Sequence, residues 1–248
     1  MKEVGPTWKE VVRDALEALG GKGHLSKINE RIKGHEKAQT RTWKATIRRT
    51  LQQYSIFYQE EPGSGIWFLK GEEPIREFDP EEHPHPGHSD VMGMLLELGR
   101  IYDFETTVSP YERKEEFLER TLEDLATLEE VPSFSGYPEV LENARGVDVM
   151  WFGGETDRWN PRYAFEVEHT TKFTKGLARL NDLYGAGIRI KPFVIVPEDK
   201  LDKAKKELSR DTFKNIHKIC RIQTYRPLIN LYTLAQKHRS LKTEFLES

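Results

Sequence analysis

Apolar side chains recur every three or four residues in the first part of the chain, which predicts three helices. The predicted stripes consist of Trp8, Val11, Val12, Leu16 and Leu19, then Ile28 and Ile32, then Trp43, Ile47, Leu51 and Tyr54. Thr7 can cap the first helix and Thr42 or Thr40 the third, and Gly20-Gly21 can stop the first. Two β-branched and aromatic runs follow, at residues 56–59 and 65–69, with a Pro-Gly turn between them. The pattern therefore predicts three helices and a β-hairpin.

Helical and strand patterns alternate in the second part of the chain. Ser89 can cap a helix, and a short strand is expected at residues 104–108. The expected elements after that are strands at 147–152 and 163–168 joined through Gly153, Gly154, Asn160 and Pro161, a helix, a buried strand at 191–197, a helix at 199–210, a strand at 219–225 and a helix from Pro227. This order predicts an α/β (α+β) core with a mixed central sheet.

Pro and Glu are frequent in residues 71–88, which we interpret as a linker between an N-terminal domain, residues 1–70, and a larger domain, residues 89–248. His83, His85 and His88 lie among these prolines, so a preformed metal site is not expected there. Residues 112–128 have an acidic helical pattern, and a loop at 131–138 follows. We expect residues 111–143 to be an insertion between the first two core strands.

The composition is that of an ordinary soluble protein, with 32% charged and 37% hydrophobic residues in 248. No apolar run is long enough to cross a bilayer and the N-terminus lacks the apolar core of a signal peptide, so a cytoplasmic protein without membrane contact is expected. The single Cys220 excludes an internal disulfide and is expected to be a buried thiol. The net charge is −3, but bases dominate residues 22–49 and acids residues 112–130, so one side of the surface could still hold DNA.

Three acids lie on the two strands where a sheet would favour apolar side chains. Strand alternation puts Asp148 on one face of its strand and puts Glu166 and Glu168 together on one face of the next. Carboxylates gathered in this way suit a cation, and an all-oxygen ligand set suits Mg²⁺ or Mn²⁺. Metal-assisted hydrolysis of a phosphodiester follows as the natural chemistry. Solvated acids on an open sheet face would fit the same spacing.

Asp148, then Glu166-Val167-Glu168, then a helix rich in Lys and Arg resemble the PD-(D/E)XK nuclease superfamily, over roughly residues 89–226. The resemblance implies a core of helix, three-stranded meander, helix and strand. It implies that Asp148 and Glu166 are metal ligands with the Val167 carbonyl as a third. Glu97 occupies the position of the further acid that the first helix often contributes.

The chain departs from that family at Glu168, where the family usually has Lys. A glutamate there could act as a general base or bind a second ion, but it cannot neutralise phosphate. The positive charge must come from elsewhere, and the candidates, which could also be solvated residues of a helix face, are Lys172, Lys175 and Arg179. His169 points away from Glu168 by alternation and is expected to be structural.

Thr7-Trp8-Lys9, Thr42-Trp43 and Gly65-Ile66-Trp67 resemble the HARE-HTH winged-helix modules that are fused to restriction enzymes, over about residues 6–70. The face of the third helix opposite its apolar stripe carries Arg41, Lys44, Arg48, Arg49 and Gln52. Arg and Gln can pair bidentately with guanine and adenine, and Lys can hold phosphate. A solvated helix face and a protein-contact module are the alternatives.

Together these features predict a Mg²⁺-dependent DNA endonuclease of restriction type that cuts double-stranded DNA at a recognised site. A DNA-binding protein whose nuclease fold has lost catalysis is the alternative, and a modification-dependent or repair nuclease is a third possibility. Because one acid cluster cuts one strand and no second copy of the cluster is found, a homodimer is expected on DNA.

Overall fold

The computed structural model describes residues 5–70, 78–81, 83, 86–154, 158–170 and 173–247. The described residues form nine α-helices and ten β-strands, with the strands in three sheets. Among them, no helix is both long and apolar enough to cross a membrane. Most of residues 71–77 and 82–85 lie outside the described part, so the linker prediction stays a prediction.

The N-terminal unit contains the three predicted helices and the predicted hairpin. Its helices are α1 (Trp8–Glu17), α2 (Leu25–Ile32) and α3 (Trp43–Gln53), and its strands are β1 (Lys22–His24), β2 (Phe57–Tyr58) and β3 (Ile66–Leu69). The sheet is antiparallel with the order β1-β3-β2. The sequence did not predict β1, because three residues without an apolar run give no strand pattern on their own; pairing with β3 creates the strand.

The predicted cap of α1 is a capping box. The Thr7 hydroxyl accepts the N–H of Glu10 at 3.2 Å, and the Glu10 carboxylate accepts the N–H of Thr7 at 2.6 Å. Gly20 and Gly21 follow the helix, each with φ of +80°, which is a conformation that glycine tolerates and other residues rarely adopt. Thr42 precedes α3 as its N-cap residue, but its side chain makes no capping hydrogen bond.

The larger part of the chain is built around a five-stranded mixed sheet, which confirms the predicted α/β class. The strands are β4 (Glu105–Val108), β7 (Val149–Gly153), β8 (Asn160–Val167), β9 (Lys191–Val196) and β10 (Arg221–Thr224), in the order β10-β9-β8-β7-β4. Neighbours are antiparallel from β4 to β8 and parallel from β8 to β10. Asn160 and Pro161 belong to β8 rather than to the connection before it.

Five helices accompany this sheet: α4 (His88–Ile101), α6 (Pro138–Arg145), α7 (Phe173–Gly185), α8 (Leu201–Leu208) and α9 (Tyr225–Glu247). Odd-numbered residues such as Val149 and Phe165 pack with α4 and α9 in one hydrophobic cluster. Even-numbered residues such as Met150 and Ala164 pack with α6, α7 and α8 in another. Because side chains alternate along a strand, the even-numbered Asp148, Glu166 and Glu168 belong to the face that α7 covers.

The prediction of an acidic helix at residues 112–128 is wrong. The segment forms a small hairpin, β5 (Glu116–Phe117) and β6 (Arg120–Thr121), followed by the single turn α5 (Leu122–Leu125). Leu118 and Glu119 have φ of 50° and 64°, and two consecutive residues with positive φ suit a tight hairpin turn but not a helix. Phe117 is buried against Gly93 of α4, where an added Cβ would lie 2.3 Å from the Phe117 ring. Tertiary packing of Phe117 overrides the local helical pattern.

The N-terminal unit is joined to the larger part by backbone hydrogen bonds. The N–H of Ser55 donates to the Thr127 carbonyl at 3.0 Å, and the N–H of Glu129 donates to the Gln53 carbonyl at 3.2 Å. Tyr54, between these two, is 1% exposed and forms a β-bridge with Leu128. One hydrophobic cluster runs from the N-terminal helices into the α7 face of the sheet. The two parts therefore share one core.

Candidate active site

Strand pairing brings the acids of β7 and β8 together. Asp148 immediately precedes β7 and Glu168 immediately follows β8, while Glu166 lies within β8. The Asp148 carboxylate accepts the N–H of Val167 at 2.7 Å, beyond the last paired residues of the two strands. Asp148 is 7% exposed and Glu166 is fully buried. The carboxylates that were predicted to converge are thus gathered at one end of the β7–β8 pair.

Helix α7 approaches the two glutamates through Gly176. A Cβ at this position would lie 2.8 Å from Glu166 Oε2 and 2.9 Å from Glu168 Oε1, which is closer than real side chains come. The Gly176 N–H donates to the Glu168 carboxylate. Sequence analysis missed Gly176; its one signal is a glycine inside a predicted helix directly after the acidic strand.

Arg179, one turn further along α7, is the residue among the three predicted cations that the structure brings to the acids, within its described part. Its Nε donates to Glu166 Oε1 at 2.8 Å and its Nη2 donates to Glu166 Oε2, so the contact is bidentate. The same Nη2 lies 3.6 Å from Asp148 Oδ1. Of the other predicted cations, Lys175 is exposed on the first turn of α7 and Lys172 lies outside the described residues.

His88, the first residue of α4, is the second basic group at the site. Gly87 is the N-cap residue of α4, in place of the predicted Ser89, and its N–H donates to Asp90. His88 Nε2 lies 3.8 Å from Asp148 Oδ2, and its Nδ1 lies 3.8 Å from Glu115 Oε2. Burial by itself would lower the pKa of His88, but the neighbouring carboxylates outweigh it and raise the pKa to about 9. His88 is therefore charged at neutral pH.

The acids of the site outnumber these two bases, and each carboxylate disfavours the ionisation of the others. Burial and the Asp148 carboxylate raise the pKa of Glu166, while the Arg179 contacts oppose the rise. The same two causes raise the pKa of Glu168 to about 7. Burial also raises the pKa of Glu112, whose Oε2 is buried without a hydrogen-bond partner in the described part of the chain. A further cation would relieve this repulsion.

Glu97 does not belong to the cluster. It is buried between α4 and α9, where the Tyr232 hydroxyl donates to its carboxylate and Gln236 Nε2 donates at 2.7 Å. It lies nine positions after His88 on α4, which corresponds to roughly 13.5 Å along the helix axis. The acid that the family resemblance implied for this helix thus has a structural environment, and the helix contributes His88 to the cluster instead.

His169 stacks on the Tyr225 ring and hydrogen-bonds its hydroxyl at 3.2 Å.

The donor chemistry of the cluster fits a hard divalent cation in part. Asp148 and Glu166 offer carboxylate oxygens, the ligands that Mg²⁺ prefers. Among the residues that the structure describes, however, no three His, Cys, Asp or Glu side chains are grouped so that they could hold a metal ion. Because Arg179 Nη2 contacts both carboxylates, the guanidinium would have to withdraw before one ion could touch both.

The predicted DNA-contact residues of the N-terminal unit lie together on α3 and the turn before it. Arg41, Lys44, Arg48, Arg49 and Gln52 are all exposed. The last four line a groove with Leu25 and Asn29 of α2. The Asn29 side-chain oxygen is buried there without a hydrogen-bond partner among the described residues.

Residues 72–248 match a protein-family model described as the type II restriction enzyme NmeDI C-terminal domain. No curated protein and no solved structure matches the chain.

Proposed function

The chain belongs to the family of the type II restriction enzyme NmeDI C-terminal domain, and from this premise we propose that it is a Mg²⁺-dependent DNA endonuclease of restriction type. The observation that carries the proposal is the convergence of Asp148, Glu166 and Glu168 at one end of the β7–β8 pair. A chain of a restriction-enzyme family needs a phosphodiester-cleaving centre, and this cluster gathers two buried acids and the half-buried Glu168, which repel one another.

The order of elements supports a core of the PD-(D/E)XK type. Helix α4 is followed by the antiparallel strands β4, β7 and β8, then by α7 and the parallel strand β9. This is the helix, meander, helix and strand order that the sequence resemblance implied. The predicted insertion, residues 111–143, lies between the first two core strands, β4 and β7, and contains the β5–β6 hairpin, α5 and most of α6.

In the proposed mechanism the acids bind the cation and prepare the attacking water. Asp148, Glu166 and the Val167 carbonyl would hold Mg²⁺, which when bound supplies an activated water and stabilises the leaving oxygen. The Val167 backbone faces the β7 side, because the next N–H, that of Glu168, donates to Ile195 of β9. Glu168, held by the Gly176 N–H, shares the face with Glu166 and would accept the proton of the water.

Arg179 would provide the positive charge that Glu168 cannot. It is the cation that contacts the acids from α7, and a guanidinium can pair bidentately with phosphate as well as with carboxylate. We infer that Arg179 exchanges Glu166 for the scissile phosphate when DNA and the metal bind. Lys175, exposed one turn before it, would contact a neighbouring phosphate.

The N-terminal unit would recognise DNA as a winged helix, with α3 in the major groove. Support comes from its three helices, its three-stranded sheet and the exposed basic face of α3. Arg48 and Gln52 would read bases, and Lys44 would hold phosphate. Because backbone hydrogen bonds join this unit to the larger part, the reading face and the acids would stay at a fixed separation.

Cleavage of supercoiled plasmid with Mg²⁺, compared with EDTA, tests the proposal. Asp148→Asn and Glu166→Gln, which keep the side-chain shape, should abolish cleavage and leave DNA binding largely intact. Glu142→Gln, at an exposed acid of α6, is the matched control and should cut like the wild type. Cleavage at the wild-type rate by either site variant would refute the assignment.

A DNA-binding protein without nuclease activity is the second candidate. The observation that favours it is the bidentate contact of Arg179 with Glu166, which neutralises a ligand that a metal ion would need. Specific DNA binding by the wild type without any cleavage in Mg²⁺ or Mn²⁺ would select this candidate.

A further inference from the structure

A groove with basic walls lies beside the N-terminus of α7, separate from the groove on α3. It is lined by Phe173, Lys203, Lys206, Glu207, Ser209 and Arg210. Lys203 and Lys206 are three residues apart on α8 and therefore project from the same side of that helix. Arg210 follows the end of α8. None of these residues belongs to the proposed acid cluster or to the winged helix.

The positive charge of this groove is compensated only in part, by Glu207 and by the electrostatic interaction of Asp199 with Lys203. Lys203 and Lys206 are exposed and form no ion pair within the described part of the chain. The one acid in the lining, Glu207, is already engaged by the Thr174 hydroxyl at 3.0 Å and by Arg210 Nη1 at 2.7 Å. The two lysines are therefore available to an anionic partner.

The groove is also close to the proposed site of cleavage. Phe173 and Gly176 are three residues apart on α7, which is roughly 4.5 Å along the helix axis. Gly176 is the point at which α7 touches Glu166 and Glu168. The hydrogen bond between Thr174 and Glu207 fixes α8 to this same turn of α7. A strand whose phosphate lay at the acids would thus pass near the lysines if it continued toward α8.

We propose that the Lys203–Lys206 groove binds the DNA sugar–phosphate backbone beside the scissile phosphate. This inference rests on the proposed function, because it takes DNA as the partner. The two lysines carry compact charges and no planar group that could read the edge of a base. Their contribution to DNA binding is therefore independent of the DNA sequence. It would hold the duplex against the acid cluster while α3 reads the bases.

The test is the salt dependence of binding to a short fluorescent duplex of mixed sequence, measured by anisotropy in EDTA so that no strand is cut. Each phosphate contact contributes about 0.9 to the slope of log Kd against log salt, which is about 3.5-fold in Kd between about 50 and 200 mM salt. Lys206→Ala should therefore reduce the ratio of Kd at these two concentrations by about 3.5-fold, and Lys203→Ala/Lys206→Ala by about 12-fold. Lys205→Ala is the control, because it removes the same charge from a neighbouring residue of α8 that faces away from the groove. It should leave the ratio of the two Kd values unchanged.

The outcomes separate this inference from the proposed function. If the wild type cuts plasmid and binds the duplex but the slope is the same in all variants, the groove does not contact DNA and the nuclease proposal stands. A slope that falls equally in Lys205→Ala and Lys206→Ala would show a general charge effect and would also overturn the inference. A wild type that does not bind DNA refutes both proposals. Circular dichroism spectra identical to the wild type are expected for every variant, because these lysines are exposed.

Discussion

Replacing Arg179 by Met should destabilise the protein, because the guanidinium neutralises a buried carboxylate. Glu166 is fully buried, and Arg179 contacts both of its oxygens. Methionine retains much of the aliphatic stem of the arginine but removes the charge and the donors. The folded variant must then either keep an unpaired buried charge or protonate Glu166.

The cost of each route can be worked out from general magnitudes. Breaking a buried ion pair by removing one partner costs about 3–5 kcal/mol. Protonating a glutamate whose pKa in the unfolded chain is about 4.3 costs about 3.7 kcal/mol at about pH 7. Because burial already raises the pKa of Glu166 to about 8 in the wild type, the wild type bears most of this protonation cost at about pH 7. The variant mainly loses the two donors to a buried carboxyl group, so the free energy of unfolding should fall by about 1–3 kcal/mol. Asp148, at 3.6 Å from the same guanidinium, loses a weaker contact as well.

The loss should also depend on pH in a defined direction. A protonated Glu166 in the folded variant holds a proton that the unfolded chain has released above about pH 4.3. The free energy of unfolding of the variant therefore falls as pH rises. The fall is about 1.4 kcal/mol per pH unit more than it would be if Glu166 were ionised in the folded variant. The wild type shows the same fall up to the pKa of its own Glu166, about 8, and no further fall above it, so the difference between Arg179→Met and wild type should be larger at about pH 9 than at about pH 6.

Urea denaturation in EDTA at these two pH values measures both effects. Arg145→Met is the matched control, because Arg145 pairs with Glu142 at 3.1 Å on an exposed helix face. Such a pair contributes at most about 1 kcal/mol. The prediction is refuted if Arg179→Met lowers the free energy of unfolding no more than Arg145→Met does, or if this loss does not change with pH. Either result would show that the Arg179 guanidinium does not stabilise the Glu166 carboxylate.

Three further predictions concern α7, α3 and the assembly. Gly176→Ala should lower the free energy of unfolding by about 1–3 kcal/mol in urea denaturation, because its Cβ would overlap two carboxylates. Gly136→Ala, whose Cβ would have nothing within 4 Å, should not lower it. Equal free energies of unfolding for the two variants would contradict the close approach of α7 to the acids. Arg48→Ala should relax sequence preference at one base pair by about 1–3 kcal/mol in competition binding, while Lys44→Ala should weaken binding to all sequences alike. Light scattering of the DNA complex should give two chains per duplex, because one acid cluster cuts one strand; a monomer that only nicks would refute this.

Local patterns identified much of the fold and the proposed site from sequence alone. The helical period located α1, α2 and α3, because the buried face of a helix carries an apolar residue at every third or fourth position. The strand period placed Asp148 on one face of its strand and Glu166 and Glu168 together on one face of the next, because successive side chains point to opposite sides of a sheet. Neither inference needs knowledge of a partner distant in sequence.

Contacts between distant residues were decided only by the tertiary structure. Residues 112–128 have a helical pattern, but burial of Phe117 against Gly93 favours a hairpin there. Which base would neutralise the acids was open among three candidates, and the course of α7 brings Arg179 to them while the start of α4 brings His88. A periodic pattern shows that a side chain faces inward but not which side chain it meets. That choice depends on how helices and strands pack, and packing is a property of the whole chain.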